Sequence, residues 1–412
     1  MRLWIDAAAL PESAVFGMCV LERHLRAAAR SAGGFSAICV DCGDGPEPSI
    51  PAELRRRLAI EVRRRPGGAD RRLARFLRES LEPLTAVAGD GLVDPRLFDL
   101  ASQRPHGLVA RDNGLALLVL ENKHAAALEG ASLAEIAQAL LRSNAVDELH
   151  QDEFPAFIRG LRRVLPFWMM PVRTPAQRRA AEQFMFRANY KGSTDFFTKY
   201  VYPLPVWLLL RPLTRLRVHP NWITGLNVAL AVAAIPAFAL GHYLAGFLCA
   251  YAMSVLDSVD GKLARLTFAD SKLGRLLDHG LDLIHPPLWY MAWAWGIAGG
   301  DHGDPVMVAG AMLVILYILD RLCLKVYSVN FHRGLHAHSP LDGVVRTFIA
   351  RRNINLPLFT AGVALGFPLE AFLLIVAWQA ATLVWHTCRV GSILLFESSA
   401  PAGGGGSLLA AK

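Results

Sequence analysis

LDSVDGKLARLTFADSKLGRLLDHGLD, residues 256–282, holds five aspartates, and four of them, Asp257, Asp260, Asp278 and Asp282, fall in or beside apolar, membrane-type helices. A lone charge at the centre of a bilayer costs at least about 2.5–3.5 kcal/mol, so such a cluster demands either compensation or a function. Asp257 and Asp260 are three residues apart and share one helix face. Asp278 and Asp282 are four apart and share a face of the next helix. The turn between the two helices brings the pairs together. Four converging carboxylates repel one another, and hard divalent cations with oxygen ligands relieve that repulsion. Gly261 and Ala264 continue the aspartate face without bulk, and Gly274 does the same one turn before Asp278. Small residues there let a ligand or a neighbouring helix approach the backbone. Arg265 is placed to pair with a phosphate or with the aspartates.

Outward from this stretch, residues 196–396 read as membrane-embedded. A spanning helix needs about 20 mostly apolar residues. Six stretches qualify, at about 221–242, 245–266, 273–298, 305–329, 353–368 and 369–395. Residues 196–216 mix Lys199, Arg211 and Arg215 with aromatic residues, which suits an interfacial helix. Arg215, Arg217, Lys272, Arg275, Arg333, Arg346, Arg351 and Arg352 fall in or beside one set of loops. The alternate loops, 241–245, 299–305 and 366–370, hold no Lys or Arg. The positive-inside rule then puts both termini in the cytoplasm, a parity that six spans fit, and the expected location is the inner or cytoplasmic membrane.

Composition agrees. Of 412 residues, 53% are apolar and 19% charged, against a usual charged share of about 25%. That excludes a disordered chain and argues against an ordinary soluble enzyme. The net charge of +8 suits a membrane surface or a phosphorylated substrate. Arginines at 55–57, 63–65 and 71–78 lack aromatic interleaving or a reader motif, so they read as a solvated face and not as a nucleic-acid site. Cys39 and Cys42 form a lone C-x-x-C without the second pair a zinc site needs. The first residues are too weakly apolar and too acidic for a signal peptide.

Residues 1–150 read as a soluble α/β domain. Apolar runs at 3–5, 37–40, 84–87 and 116–120 alternate with amphipathic stretches, as in βαβ units with a largely parallel sheet. Residues 151–195 form a proline-punctuated connector, in which 174–189 is a helix capped by Thr174 with Pro175 at its first position. Residues 397–412 are a flexible, glycine-rich tail.

The string D257-x2-D260-G261-x2-A264-R265-x8-G274-x3-D278-x3-D282 resembles the signature of the CDP-alcohol phosphotransferases at all eight fixed positions. The resemblance extends over about 190–396 and includes Pro220-Asn221-x2-Thr224, although His219 stands where the family usually has Thr. It implies an enzyme that cleaves the pyrophosphate of a CDP-alcohol donor. The phospho-alcohol would pass to a lipid or polyol-phosphate acceptor, with release of CMP. It further implies that Asp257, Asp260, Asp278 and Asp282 hold Mg²⁺ or Mn²⁺, and that Asp282 is the general base. Asn221, Thr224, Gly261, Ala264, Arg265, Ser271 and Gly274 would line the CDP site, and homodimers through the membrane helices are common. Basic residues in and after the fourth span suggest an acceptor pocket at Lys325, Arg346 and Arg352. His285 reads as a packing residue, and Pro286 and Pro287 should kink the third span.

The amino-terminal domain resembles sugar-nucleotide nucleotidyltransferases in residues 20–41, 84–98 and 114–128, with Asp90 at the family's aspartate position. The order matches fused proteins that make CDP-inositol and then transfer it. Residues 6–16 lack the glycines and lysine of the family's phosphate loop, so the domain reads as a degenerate relative. Two alternatives stand beside the main reading. One is a bifunctional cytidylyltransferase and phosphotransferase; the other is a cation-coupled transporter using the aspartates.

Overall fold

A computed structural model gives the structure of the chain and describes residues 1–11, 14–104 and 106–397; the side chains of Lys272, Leu273, Arg275, Asp278, His279, Phe396 and Glu397 also lie outside the described set. The chain divides into two compact units. The first comprises Met1–Gly192, Leu210–Val218 and Lys262–Ala269. The second comprises Ser193–Leu209, His219–Gly261 and the residues from Asp270 onward. The connector helix expected at 174–189 thus belongs to the first unit.

In the first unit the first eight strands are β1 (Arg2–Asp6), β2 (Ala37–Asp41), β3 (Ile60–Arg63), β4 (Leu84–Ala88), β5 (Gly91–Val93), β6 (Leu108–Asp112), β7 (Leu115–Leu120) and β8 (Asp147–Glu148), and three short ones follow at Phe157–Ile158, Arg163–Val164 and Met169–Pro171. Seven of them form one sheet in the order β3-β2-β1-β4-β7-β6-β8. Every neighbour is parallel except around β7, which runs antiparallel to both β4 and β6. The reversal follows from the turn joining β6 to β7. Asn113 and Gly114 both take positive φ, 49° and 73°, the conformation that two-residue hairpins favour.

Alternation along the strands builds two cores. Leu3 and Ile5 face one side with Leu21 and Leu25 of α1 (Val20–Ala28). Trp4 faces the other side with Leu73 and Leu77, which lie beyond α2 (Ala52–Arg57) on α3 (Ala69–Arg78). Helix α4 (Arg96–Gln103) joins the first core and α5 (Leu133–Arg142) the second, giving three layers. Cys39 and Cys42 are buried free thiols, and burial pushes Cys39 up to about 12. Thr174 and Gln177 form a reciprocal capping box at the start of α6 (Pro175–Ala188), with proline in the first turn.

The remaining helices are α7 (Pro203–Arg215), α8 (Pro220–Ala239), α9 (Tyr243–Leu266), α10 (Lys272–Ile297), α11 (Pro305–Phe331), α12 (Pro340–Val345), α13 (Arg352–Leu365) and α14 (Pro368–Glu397). Aromatic packing centres the second unit: Trp289 and Trp293 of α10 meet Phe238 of α8, and Trp293 stacks on Phe359 of α13. Helices occupy all six stretches expected to span. Four of them, α8, α9, α11 and α14, are long and apolar enough to cross a membrane. Helix α10 has the length, but Asp278, Asp282, His285 and the Pro286–Pro287 pair reduce its apolar character. Helix α13 has 14 residues, about 21 Å at 1.5 Å per residue, short of a core of about 30 Å.

Candidate active site

The second unit brings together several of the expected side chains, from α8, α9, α10 and α13. Helix α8 opens with His219 as its cap, whose Nδ1 accepts from the Asn221 amide at 3.2 Å. The residue that departs from the family pattern therefore does a job a threonine oxygen can also do. One turn later, Thr224 Oγ1 donates to Asp260 Oδ2 at 2.6 Å, and Asp260 is buried.

Asn221, Ser271 and Gly274 form one patch. Ser271 Oγ donates to Asn221 Oδ1 at 3.1 Å and accepts from the Gly274 amide at 2.9 Å, which caps α10. A Cβ at Gly274 would lie 3.0 Å from Ser271 Oγ and 3.3 Å from Asn221 Oδ1, so that position stays without a side chain. Three of the expected donor-site residues are thus in mutual contact.

Arg352, at the start of α13, ties the aspartates together. Its Nη2 donates to Asp257 Oδ2 and its Nη1 to Asp282 Oδ1, each at 3.0 Å. Sequence reading placed Arg352 in an acceptor pocket; the structure brings it to the aspartates. One cation bridging two carboxylates leaves the trio with a charge of −1. Nη1 also donates to His285 Nε2 at 3.2 Å, while the His285 ring packs edge-on against Trp289. His285 therefore packs, as expected, and also touches the site. Two further supports escaped sequence reading. Tyr317 of α11 donates its hydroxyl to the Asp282 carbonyl at 3.2 Å. Asn353 accepts from Arg352 Nε at 3.1 Å and donates to Asp195 Oδ2 at 3.2 Å, which fixes the guanidinium from behind. The only sequence signal for this relay was the polar string Arg351-Arg352-Asn353 at a helix start.

The other expected residues fall as follows. Gly261 and Ala264 are half-buried on α9. Arg265, in the first unit, donates to Asn189 Oδ1 at 3.0 Å. Lys325 is exposed and Arg346 buried. Helix α11 also holds a buried network, in which His386 Nδ1 lies 2.5 Å from Asp320 Oδ1 and Arg321 donates to Asp320 Oδ2 at 2.8 Å. The Asp278 side chain lies outside the described residues. Among the described residues, no three His, Cys, Asp or Glu side chains come together as a metal centre. The donor chemistry nevertheless fits a hard cation. Asp257 and Asp282 offer only carboxylate oxygens, and the guanidinium between them shows that the pair is spaced to share one positive charge.

Comparison with known proteins defines the class. Residues 217–396 match the family model for CDP-alcohol phosphatidyltransferase, and this part of the chain belongs to that family. Cholinephosphotransferase 1 of Gallus gallus is 31% identical over 124 residues, 28% of this chain and 37% of the relative. The bifunctional IPC transferase and DIPP synthase of Thermococcus kodakarensis is 28% identical over 142 residues, 31% of this chain and 33% of its own. The chain spans about a third of the length of these curated relatives. The crystal structure of Mycobacterium tuberculosis phosphatidylinositol phosphate synthase with CDP-DAG bound aligns over 47% of this chain and 94% of that one, with a TM-score of 0.36 and 19% identity. The matched family is one of transferases, its curated relatives include a cholinephosphotransferase, and the match gives the transporter alternative no support.

Proposed function

We propose that the chain is an integral-membrane, metal-dependent CDP-alcohol phosphotransferase of phospholipid or polar-lipid synthesis. It would transfer a phospho-alcohol from a CDP-alcohol to an acceptor hydroxyl. The observation that carries this reading is the convergence of Asp257 and Asp282, from two helices, on the single guanidinium of Arg352.

In this reading Asn221, Ser271 and Gly274 form the floor of the donor site, and the bare Gly274 gives the donor access to the backbone. Asp257, Asp260, Asp278 and Asp282 would hold Mg²⁺ or Mn²⁺. Such ions, when bound, neutralise the charge that grows on the departing CMP. Asp282 is about half exposed and is anchored through Oδ1 to Arg352. Its Oδ2 would take the proton of the acceptor hydroxyl as that oxygen bonds to phosphorus and the bond to CMP breaks. General-base catalysis of this kind contributes about 10²–10⁴-fold. Arg352 and His285 orient the base, and Asp195 and Asn353 orient Arg352. Lys325 and Arg346 are proposed to meet a phosphate on the acceptor.

The amino-terminal unit is proposed to be a non-catalytic relative of nucleotidyltransferases. Open α/β sheets bind ligands beyond the carboxyl ends of their strands. Here Asp6 and Asp41 end β1 and β2, and both pair with Arg72, at 2.9 and 2.7 Å, so the edge is closed by its own ion pairs. Asp90 is paired with Arg173 at 2.7 Å.

The test is CMP release from a panel of CDP-alcohols with Mg²⁺ and a native lipid extract, for wild type and Asp282→Asn. The variant is expected to lose about 10²–10⁴-fold in rate with its helical circular dichroism intact. Unchanged release would remove Asp282 as base; no release by wild type with any donor would remove the transferase reading.

A further inference from the structure

The first unit holds a half-open cavity of about 270 Å³ outside the closed sheet edge. It lies between α1, β5 and α6 and is walled mostly by apolar side chains, among them Leu161, Leu165, Trp168 and Met185. Its size is just below the usual range for small-molecule sites, about 300–1,000 Å³.

One polar group faces it without a partner. His24, on α1, is 2% exposed, and neither Nδ1 nor Nε2 makes a hydrogen bond. The Gly91 backbone approaches the ring but falls short of hydrogen-bond geometry. A buried polar group left unmade costs about 1–3 kcal/mol, and native structures carry few of them. The charged groups of the wall are committed elsewhere. Arg23 donates to the Val15 and Leu266 carbonyls, Arg96 pairs with Asp94 at 2.6 Å, and Arg265 donates to Asn189. The wall therefore offers an apolar volume and a single neutral donor-acceptor, with no cation reserved for an anionic head.

We propose that this cavity binds a small uncharged amphiphile, an apolar body carrying one hydroxyl or carbonyl that hydrogen-bonds to His24. The proposal rests on residues of the first unit alone and does not depend on the transferase reading.

The experiment uses the full-length protein, a diazirine analogue of octanol as photoprobe, and octanol or octanoate as competitor. Crosslinks are mapped by peptide mass spectrometry. The expected result is labelling at Leu161, Trp168 or Met185 that excess octanol displaces and octanoate displaces at least 10-fold less well. Leu165→Trp, which fills the volume, should abolish that labelling. His24→Phe should weaken octanol competition about 5- to 10-fold, the worth of one hydrogen bond. Absence of labelling at these residues, labelling that octanol cannot displace, or equal competition by octanoate would overturn the proposal. The competition arm needs no variant, so it reads out even where a substitution impairs folding.

Discussion

Arg352 shows what a single side chain can decide. A guanidinium is a planar fork able to hold two carboxylates at once, whereas an ammonium is a point charge. Arg352→Lys is therefore expected to lower kcat for CMP release by about 10–100-fold, the worth of one charge-assisted hydrogen bond, with KM for the donor little changed. An unaltered kcat would show that bridging Asp257 and Asp282 is irrelevant to turnover. At this scale the aspartates were legible in sequence, because carboxylates in an apolar run need a reason to be there. Arg352 was legible only as a basic residue. Its partners lie 95 and 70 residues away, and no local spacing encodes a pairing of that separation. His285 was half legible: its apolar neighbours predict the contact with Trp289, but nothing local predicts the bond from Arg352.

Helix ends are where sequence and element agree best. Thr174 with Pro175 marked the start of α6, because a cap and a pre-set φ act within three residues. Other boundaries depended on signals weighed too lightly. The Asn113-Gly114 turn makes β7 antiparallel where alternating strands and helices suggested a parallel neighbour. Gly366, at φ 83°, ends α13 at Leu365 and leaves it shorter than its apolar run. The cap of α10 supplies a prediction. Gly274→Val places a branched side chain where even a Cβ comes within 3.0 Å of Ser271 Oγ. The donor KM is expected to rise about 10-fold or more, on the order of the 1–3 kcal/mol that overpacking costs, with helical content retained. Steady-state kinetics against CDP-alcohol concentration measures it, and an unchanged KM would mean the patch does not touch the donor.

Across the whole molecule, the number of crossings is the open consequence. With only α8, α9, α11 and α14 spanning, the loop before α11 would face the cytoplasm. The segment carrying Arg333, Arg346 and Arg351 would then lie on the opposite side, against the positive-inside rule. With α10 and α13 also spanning, every arginine-bearing loop returns to the cytoplasm. A cysteine at His302 in a cysteine-free background should then react with an impermeant maleimide added to intact cells, and one at Gly334 should not. The reverse pattern would establish four crossings. The bridge at Arg352 bears on assembly as well. Because α9 and α10 are joined to α13 by a positive charge encoded in the chain, the bundle is expected to hold together without an inorganic ion as mortar. EDTA should silence CMP release yet leave the helical spectrum untouched, and a protein that unravelled on chelation would show that its scaffold, not only its chemistry, is borrowed from solution.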